Sequence, residues 1–556
     1  LAQSDVRGQD PSVDDTLSLA PQDRKTPEGS GRRGGGRGKN GSRAGRPRRR
    51  RRALRWSATV LAVVITGAAT AGFLYYEHLN GNIRKGQRES GDAEAQKTAP
   101  NADGQTPLNI LLIGSDSRNS AADLKLGGSR DQVGSPPLAD VQMLIHLSAD
   151  RKSASMVSIP RDTRVDIPKC TDPDSGKVYP ATDDIINTTL ARGGAGCTLS
   201  TWEKLTGVYI DHWMMIDFAG VVNMADAIGG VQVCVRQNVW DHPTAAQRGG
   251  SGLKLRAGTQ KIYKEQALQW LRTRHAWGSD LMRARAQHMY LNSMIRTLKQ
   301  QNVFTDTGRL MDLAEAATKS LQVSEEIGTV KKLYDLGMQL KSVPTNRITS
   351  ITMPNVEDAR NREHVVPDGA NADKLWEMLR DDVPLDKNGK DDKSGKDGKA
   401  SDAKPAANTD KTAKAPSTDP SRLGVLVQNA TQSTTEAAVP GRAQTISQAL
   451  GEKGYGRAAV DTTVTQSVDR TVVQYPSADL AGDAQAVAKA LGIPVSSVKQ
   501  STGVSGVTVV IGADWRTGTS YPAQAKPRAG ELPQNTDSVN GADTGDCMDV
   551  YKPYQW

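Results

Sequence analysis

From Trp56 to Tyr76 the chain reads WSATVLAVVITGAATAGFLYY, without a charge, and directly before it stand Arg48-Arg49-Arg50-Arg51-Arg52 and Arg55. A helix of about 20 such residues spans the hydrocarbon core of a bilayer. Trp56 and Tyr75-Tyr76 sit at its two ends, where interfacial aromatic rings are favoured. The arginine excess puts the preceding residues in the cytoplasm and everything after residue 77 outside. Ala69-Thr70-Ala71 offers a signal-peptidase-like site, but residues 1–55 are long for a signal n-region, so the segment is read as a retained anchor. What folds is therefore expected on the far side of a membrane, as a cell-membrane protein with a single pass and a lipid bilayer as one partner.

Charge supports that division. Residues 1–56 carry the whole excess of +9, because the rest of the chain is balanced. The basic arm has no folded module beside it, so an anionic leaflet is its nearer partner and no nucleic acid is expected. Four cysteines, Cys170, Cys197, Cys234 and Cys547, suit an oxidising compartment. Spacing does not choose among three pairings. Cys170 and Cys197 lie in loop-like sequence and are taken as the disulfide candidate, whereas Cys234 in the apolar run VQVCV is expected to be a buried free thiol.

Composition shifts mark the domains. Residues 1–55 form a disordered basic arm, 56–77 the transmembrane helix and 78–105 a polar stalk. Strands are expected at Leu108–Ile113, Val141–Leu147 and Ala154–Ile159, and helices at Ala219–Ile228, Lys264–Leu271 and Asp280–Lys299. Their alternation over 106–383 indicates an α/β or α+β domain with a mixed sheet flanked by helices. Residues 384–420 are a Lys/Asp/Gly/Pro-rich linker, 421–516 a small α/β domain and 517–556 a polar tail in which Tyr551–Trp556 could dock.

Chemistry concentrates at strand ends and around residue 270. Asp116 follows the first strand and Asp140 precedes the second. If those strands pair antiparallel, both carboxylates reach one sheet edge and suit Mg²⁺, which keeps waters and takes phosphate oxygens. Turn or cap aspartates would look the same. Arg161 ends the third strand, and its planar guanidinium binds phosphate bidentately. Arg272 and Arg274 share one face of an extended segment, and Asp280, Arg283 and Gln287 one face of a helix, with Arg285 turned away. A solvated charged helix face is the plainer alternative.

The stretches NILLIGSDSR, DVQMLIHLSAD, SMVSIPRDTRVDIP, INTTLARGG, DFAGVVNMADAIGGVQV, LRAGTQKIYKEQALQWLRTRH and DLMRARAQ, in this order, resemble the LytR–CpsA–Psr family of cell-wall enzymes. Leu423–Trp515 is similar to the C-terminal module that often accompanies that domain. The resemblance implies a phosphotransferase that moves a glycopolymer from a polyprenyl (pyro)phosphate carrier to a peptidoglycan acceptor, forming a phosphodiester. It implies Asp116 and Asp140 as metal-associated residues for Mg²⁺, or Mn²⁺ in its place. The pyrophosphate set would be Arg118, Arg161, Arg272, Arg274, Arg283 and Gln287, with Arg161, Arg272, Arg274 and Asp280 at the catalytic centre.

Two positions depart from the family. Leu138-Ala139-Asp140 stands where Arg-Ser-Asp is common, and Ala286-Gln287 where Arg-Gln is common. Both losses bear on headgroup preference or efficiency, since the aspartates and clamp arginines remain. Asp116, Asp162 and Asp280 are open choices for a base, and Ala219–Ile228 with Ala286–Leu298 are the expected walls of a lipid groove. A membrane-anchored non-catalytic envelope regulator and a polyprenyl-pyrophosphate pyrophosphatase are the competing functions.

Overall fold

The computed structural model describes residues 48–92, 95–98, 100–101, 103–116, 136–245, 247–300, 306–387, 416–432, 437–462, 467–468, 470–501, 503–522 and 527–556. The arm at 1–47 and most of the expected linker lie outside them. The chain divides into two compact units, Leu1–Thr70 and Ala71–Trp556. Helix α1 (Arg48–Asn82) contains the stretch Arg55–Asn82, long and apolar enough to cross a membrane, with a mean hydropathy of 1.8 over its best 18 residues.

The larger unit is built on an eight-stranded mixed sheet. In chain order its strands are β1 (Arg84–Gly86), β2 (Leu108–Ser115), β3 (Ala139–Leu147), β4 (Ala154–Ser158), β5 (His212–Ile216), β6 (Leu321–Ser324), β7 (Ile348–Thr352) and β8 (Ser538–Asn540). Across the sheet they run β1-β6-β5-β2-β3-β4-β7-β8. β2 and β3 pair antiparallel, and β2 pairs parallel with β5. The central strands are covered on both faces, which is why β2 is apolar at successive positions rather than alternating. Leu111 and Ile113 join Trp202, Trp213 and Trp376 in one core, while Ile110 joins Met143, Ile145 and Met156 in another.

Helices α2 (Thr189–Thr206), α3 (Phe218–Ala227), α4 (Lys264–Arg272) and α5 (Asp280–Gln300) follow the sequence pattern closely. α2 runs through a kink. Gly194 there has φ 68°, a left-handed conformation that glycine adopts without a Cβ penalty. The second domain is a five-stranded sheet, with Gly424–Asn429 and Val507–Ile511 pairing in parallel at its centre, and helices Arg442–Glu452 and Ala481–Leu491.

Three expectations change. The stalk is not free: Leu79 and Ile83 are buried, and β1 adds a parallel strand beside β6. The polar tail supplies β8 and buries Val539, Met548, Val550 and Tyr554 in the core beneath α4 and α5. Cys234 is not a thiol, because that returning tail brings Cys547 to it. The disulfide joins Cα atoms 4.5 Å apart over a sequence separation of 313, which local apolar pattern cannot reveal. Cys170 and Cys197 form the other disulfide, tying α2 to the strand Cys170–Thr171.

Candidate active site

The site forms where β2 and β3 reach the edge of the sheet. Their register pairs Ser115 with Ala139 after an irregularity at Gly114. Asp116 continues the pairing through its N–H to the Leu138 carbonyl at 3.1 Å, and its Oδ1 accepts from Leu138 N at 2.7 Å. Asp116 and Asp140 therefore stand at one end of adjacent strands. Gly114 permits the close approach there: a Cβ on it would lie 2.9 Å from Val141 Cβ.

Arg161 follows β4 in a turn closed by Thr163, whose N–H reaches the Pro160 carbonyl at 3.0 Å. Its Nη1 donates to Asp140 Oδ1 at 3.0 Å and its Nε to Asp162 Oδ2 at 3.2 Å. Burial disfavours the Arg161 charge, but Asp140 and Asp162 outweigh it and hold the guanidinium above its ordinary pKa.

α4 ends at Arg272 rather than before it, so Arg272 and Arg274 do not share an extended segment. Between them, buried Thr273 takes an extended conformation (φ −61°, ψ 126°) and is held by its hydroxyl, which donates to Gln269 O at 2.7 Å and contacts Ser251 Oγ at 2.6 Å. The break lets both arginines face one space. Arg272 lies 4.8 Å from the centroid of Phe218. α5 begins at Asp280, which pairs with Arg283 at 3.1 Å. Gln287 Nε2 donates to Leu271 O at 3.2 Å and ties α5 to the end of α4. Burial pushes Arg283 down, as does Arg161, while Asp280 opposes both.

These groups meet around a cavity of ≈ 330 Å³. Asp140, Arg161, Arg272, Arg274, Arg283 and Gln287 all line it. Asp280 and Asp116 do not line it: Asp280 pairs with lining residue Arg283, and Asp116 follows lining residue Ser115. Arg118 lies outside the described residues. Arg285 turns away to Asp537 and Asp546 of the tail. The apolar wall is Ile216, Phe218, Val221, Leu268 and Leu271, from the end of β5 and from α3 and α4. The α5 stretch expected to face a lipid instead buries Ala286, Met289 and Tyr290 in the core, because the α5 face that packs on α4 is apolar.

Two lining residues escaped the sequence reading. Asp241 is 1% exposed; its Oδ2 accepts from Ser251 N at 2.8 Å, while Oδ1 has no partner among the described residues. His275 Nε2 is likewise buried without a partner among the described residues. Each sits in loop sequence with no periodicity to announce it. The carboxylates that could hold a divalent cation are Asp116 and Asp140; no group of three or more His, Cys, Asp or Glu side chains gathers among the described residues. Two carboxylates, with water and phosphate oxygens completing the shell, match Mg²⁺ chemistry.

Residues 75–381, more than half of the chain, match the LytR_cpsA_psr family. The chain belongs to that family. Residues 422–515 match a second module, described as LytR cell envelope-related transcriptional attenuator. LcpA of Corynebacterium glutamicum, a cell wall biosynthesis protein, is 28% identical over 327 residues, covering 53% of this chain and 58% of LcpA. The chain spans 61% of the probable cell wall biosynthesis protein LcpB of the same organism, at 27% identity over 279 residues and 49% of this chain. TagT of Bacillus subtilis, a polyisoprenyl-teichoic acid–peptidoglycan teichoic acid transferase, is 26% identical over 314 residues, covering 55% of this chain and 89% of TagT. Among solved structures, a LytR-Csp2A-Psr enzyme from Actinomyces oris aligns at 18% identity with a TM-score of 0.38, covering 53% of this chain and 96% of that one.

Proposed function

We propose that this LytR_cpsA_psr protein transfers a glycopolymer from a polyprenyl-pyrophosphate carrier to a hydroxyl of peptidoglycan, leaving a phosphodiester. The observation that carries the reading is the convergence of Arg161, Arg272, Arg274 and Arg283 on one cavity with an apolar wall. Four guanidiniums suit the non-bridging oxygens of a diphosphate, and the wall suits the first isoprene units. TagT, matched over most of its length, is named for a reaction of this class.

The acceptor oxygen attacks the sugar-side phosphorus and polyprenyl phosphate leaves. Arg161 and Arg283, fixed by Asp140 and Asp280, are already placed to stabilise charge on the transferring group, so little reorganisation accompanies the step. A Mg²⁺ ion held by Asp116 and Asp140 would add charge neutralisation at the phosphates. The hydroxyl proton needs an acceptor. Asp140 is neutralised by Arg161, and Asp217 receives Gly220 N and Arg84. Asp241 Oδ1 is buried and has no donor among the described residues, so Asp241 is assigned as the base.

Arg55–Asn82 would anchor the protein in the membrane with the arm cytoplasmic and the catalytic unit outside. Two disulfides among the described residues agree with that side. The test is transfer of a labelled polyprenyl-diphosphate glycan to purified peptidoglycan. Wild-type protein should form an acid-labile phosphodiester to the wall, and Arg274→Ala should not. Release of free glycan phosphate irrespective of acceptor would make the protein a pyrophosphatase instead.

A further inference from the structure

The family matches end at residue 515, yet the last twenty residues are built into the catalytic unit. β8 pairs with β7 through Val539 and Ser350, and Arg285 on α5 holds both Asp537 and Asp546. Beyond the Cys234–Cys547 disulfide, Met548 N donates to Cys234 O at 3.0 Å and Arg236 N to Met548 O at 2.9 Å. Trp556 Nε1 then donates to Val239 O at 3.1 Å, two residues before Asp241. On its other side, Tyr551 N donates to Ala276 O at 2.8 Å, two residues after Arg274.

Tyr554 is the wedge between those two loops. It is 3% exposed, and its ring stacks on His275 at 6.2 Å and meets His242 edge-on at 5.9 Å. Asp241 precedes His242, and Arg274 precedes His275. Both of these loops contribute cavity residues, and neither is held by a regular helix or strand at that point.

We propose that residues 537–556 are a disulfide-fastened strap that sets the spacing between the Asp241 loop and the Arg274–His275 loop, with Tyr554 as the positioning residue. The strap touches no reacting atom. It acts by removing the conformational freedom of two loops whose side chains must meet one substrate, where a displacement of about 1 Å can cost on the order of 100-fold in rate. This inference rests on the transferase reading above, but half of its test does not.

Full-length Tyr554→Ala and Tyr554→Phe are compared with wild type. Expected for Tyr554→Ala is a fall in kcat for transfer of roughly 10- to 100-fold, measured below its lowered melting temperature and with helix content near wild type. Tyr554→Phe keeps the ring and should stay within about 2-fold of wild type, a rescue that mere stabilisation does not require. The double variant Cys234→Ser/Cys547→Ser, folded by circular dichroism, should show the same defect in milder form. Binding of farnesyl diphosphate, followed by tryptophan fluorescence, is measured in parallel and should weaken in Tyr554→Ala. If wild type binds this probe but transfers nothing, the transferase reading fails while the strap is still judged by affinity. Wild-type kcat and affinity in both the folded alanine and the folded double-serine variants would overturn the strap.

Discussion

Replacing Arg161 tests the charge clamp most directly. Its side chain is 23% exposed and bridges Asp140 at 3.0 Å and Asp162 at 3.2 Å. At an effective dielectric of about 20, one such contact is a gross attraction of roughly 5 kcal/mol. Part of that is spent on desolvation and, at this exposure, much of the rest is screened, leaving a net stability term of about 1–2 kcal/mol. Arg161→Ala should therefore lower the melting temperature by a few degrees without unfolding the protein. Its effect on catalysis should be larger. Loss of one preorganised donor to a developing oxyanion costs about 10²–10³ in rate. Arg161→Lys keeps the charge but not the planar fork, so it should recover stability more fully than activity. The assay is kcat/KM for transfer to purified peptidoglycan, with melting followed by circular dichroism. A folded Arg161→Ala protein with wild-type kcat/KM would remove the physical basis of the proposed site.

Chelation should abolish transfer and Mg²⁺ should restore it, and Asp140→Asn should blunt that response; an unchanged rate in excess EDTA counts against a metal at Asp116 and Asp140. Acid should destabilise the unit through His288, 1% exposed, which burial pushes down to about 4. The unfolded chain takes up this proton near pH 6.5 and the folded one only near 4, so stability declines as pH falls between those values, by about 3 kcal/mol in all. His288→Gln should flatten that part of the melting-temperature profile, and an unaltered slope would exclude the residue as its source. Arg274, which makes no ion pair among the described residues, should tolerate alanine without loss of stability and lose donor binding, whereas Arg283→Ala should destabilise because the packing of its buried side chain is lost. Thermal melts and farnesyl diphosphate titrations separate the two.

The sequence made the sheet legible where burial on both faces writes an unbroken apolar run, as in LNILLIG, and where helical spacing repeats, as in α5. It made Asp280, Arg283 and Gln287 legible for the same reason: helical pitch alone puts them on one side. It could not show that α4 runs on to Arg272, because the end of that helix is set by a hydroxyl contact from Ser251, twenty-two residues away. Asp241 stayed hidden because its role depends on an oxygen left without a partner, which is a property of the assembled loop and not of any local pattern. Cys234 was misread for a related reason. An apolar strand buries a thiol and a disulfide sulfur equally well, and the partner arrives from the far end of the chain.

Charge balance in the cavity bears on what a metal would add to the proposed site. Four arginines line it, but so do Asp140, Asp217 and Asp241, and Asp162 and Asp280 touch two of the arginines from behind. The carboxylates hold Arg161 and Arg283 in place against their mutual repulsion, which is what keeps a guanidinium cluster folded without a ligand. Five carboxylates against four arginines leave no surplus positive charge to attract an anion. A doubly substituted diphosphate retains a negative charge on each phosphorus, so the preorganised arginines supply direction more than net attraction. A divalent cation at the Asp116–Asp140 edge would offset those two carboxylates and leave the site less repulsive to a diphosphate. In that arrangement the aspartates serve the empty site by fixing arginines and the loaded site by fixing the cation, and the affinity for a diphosphate depends on Mg²⁺ more steeply than on any single arginine.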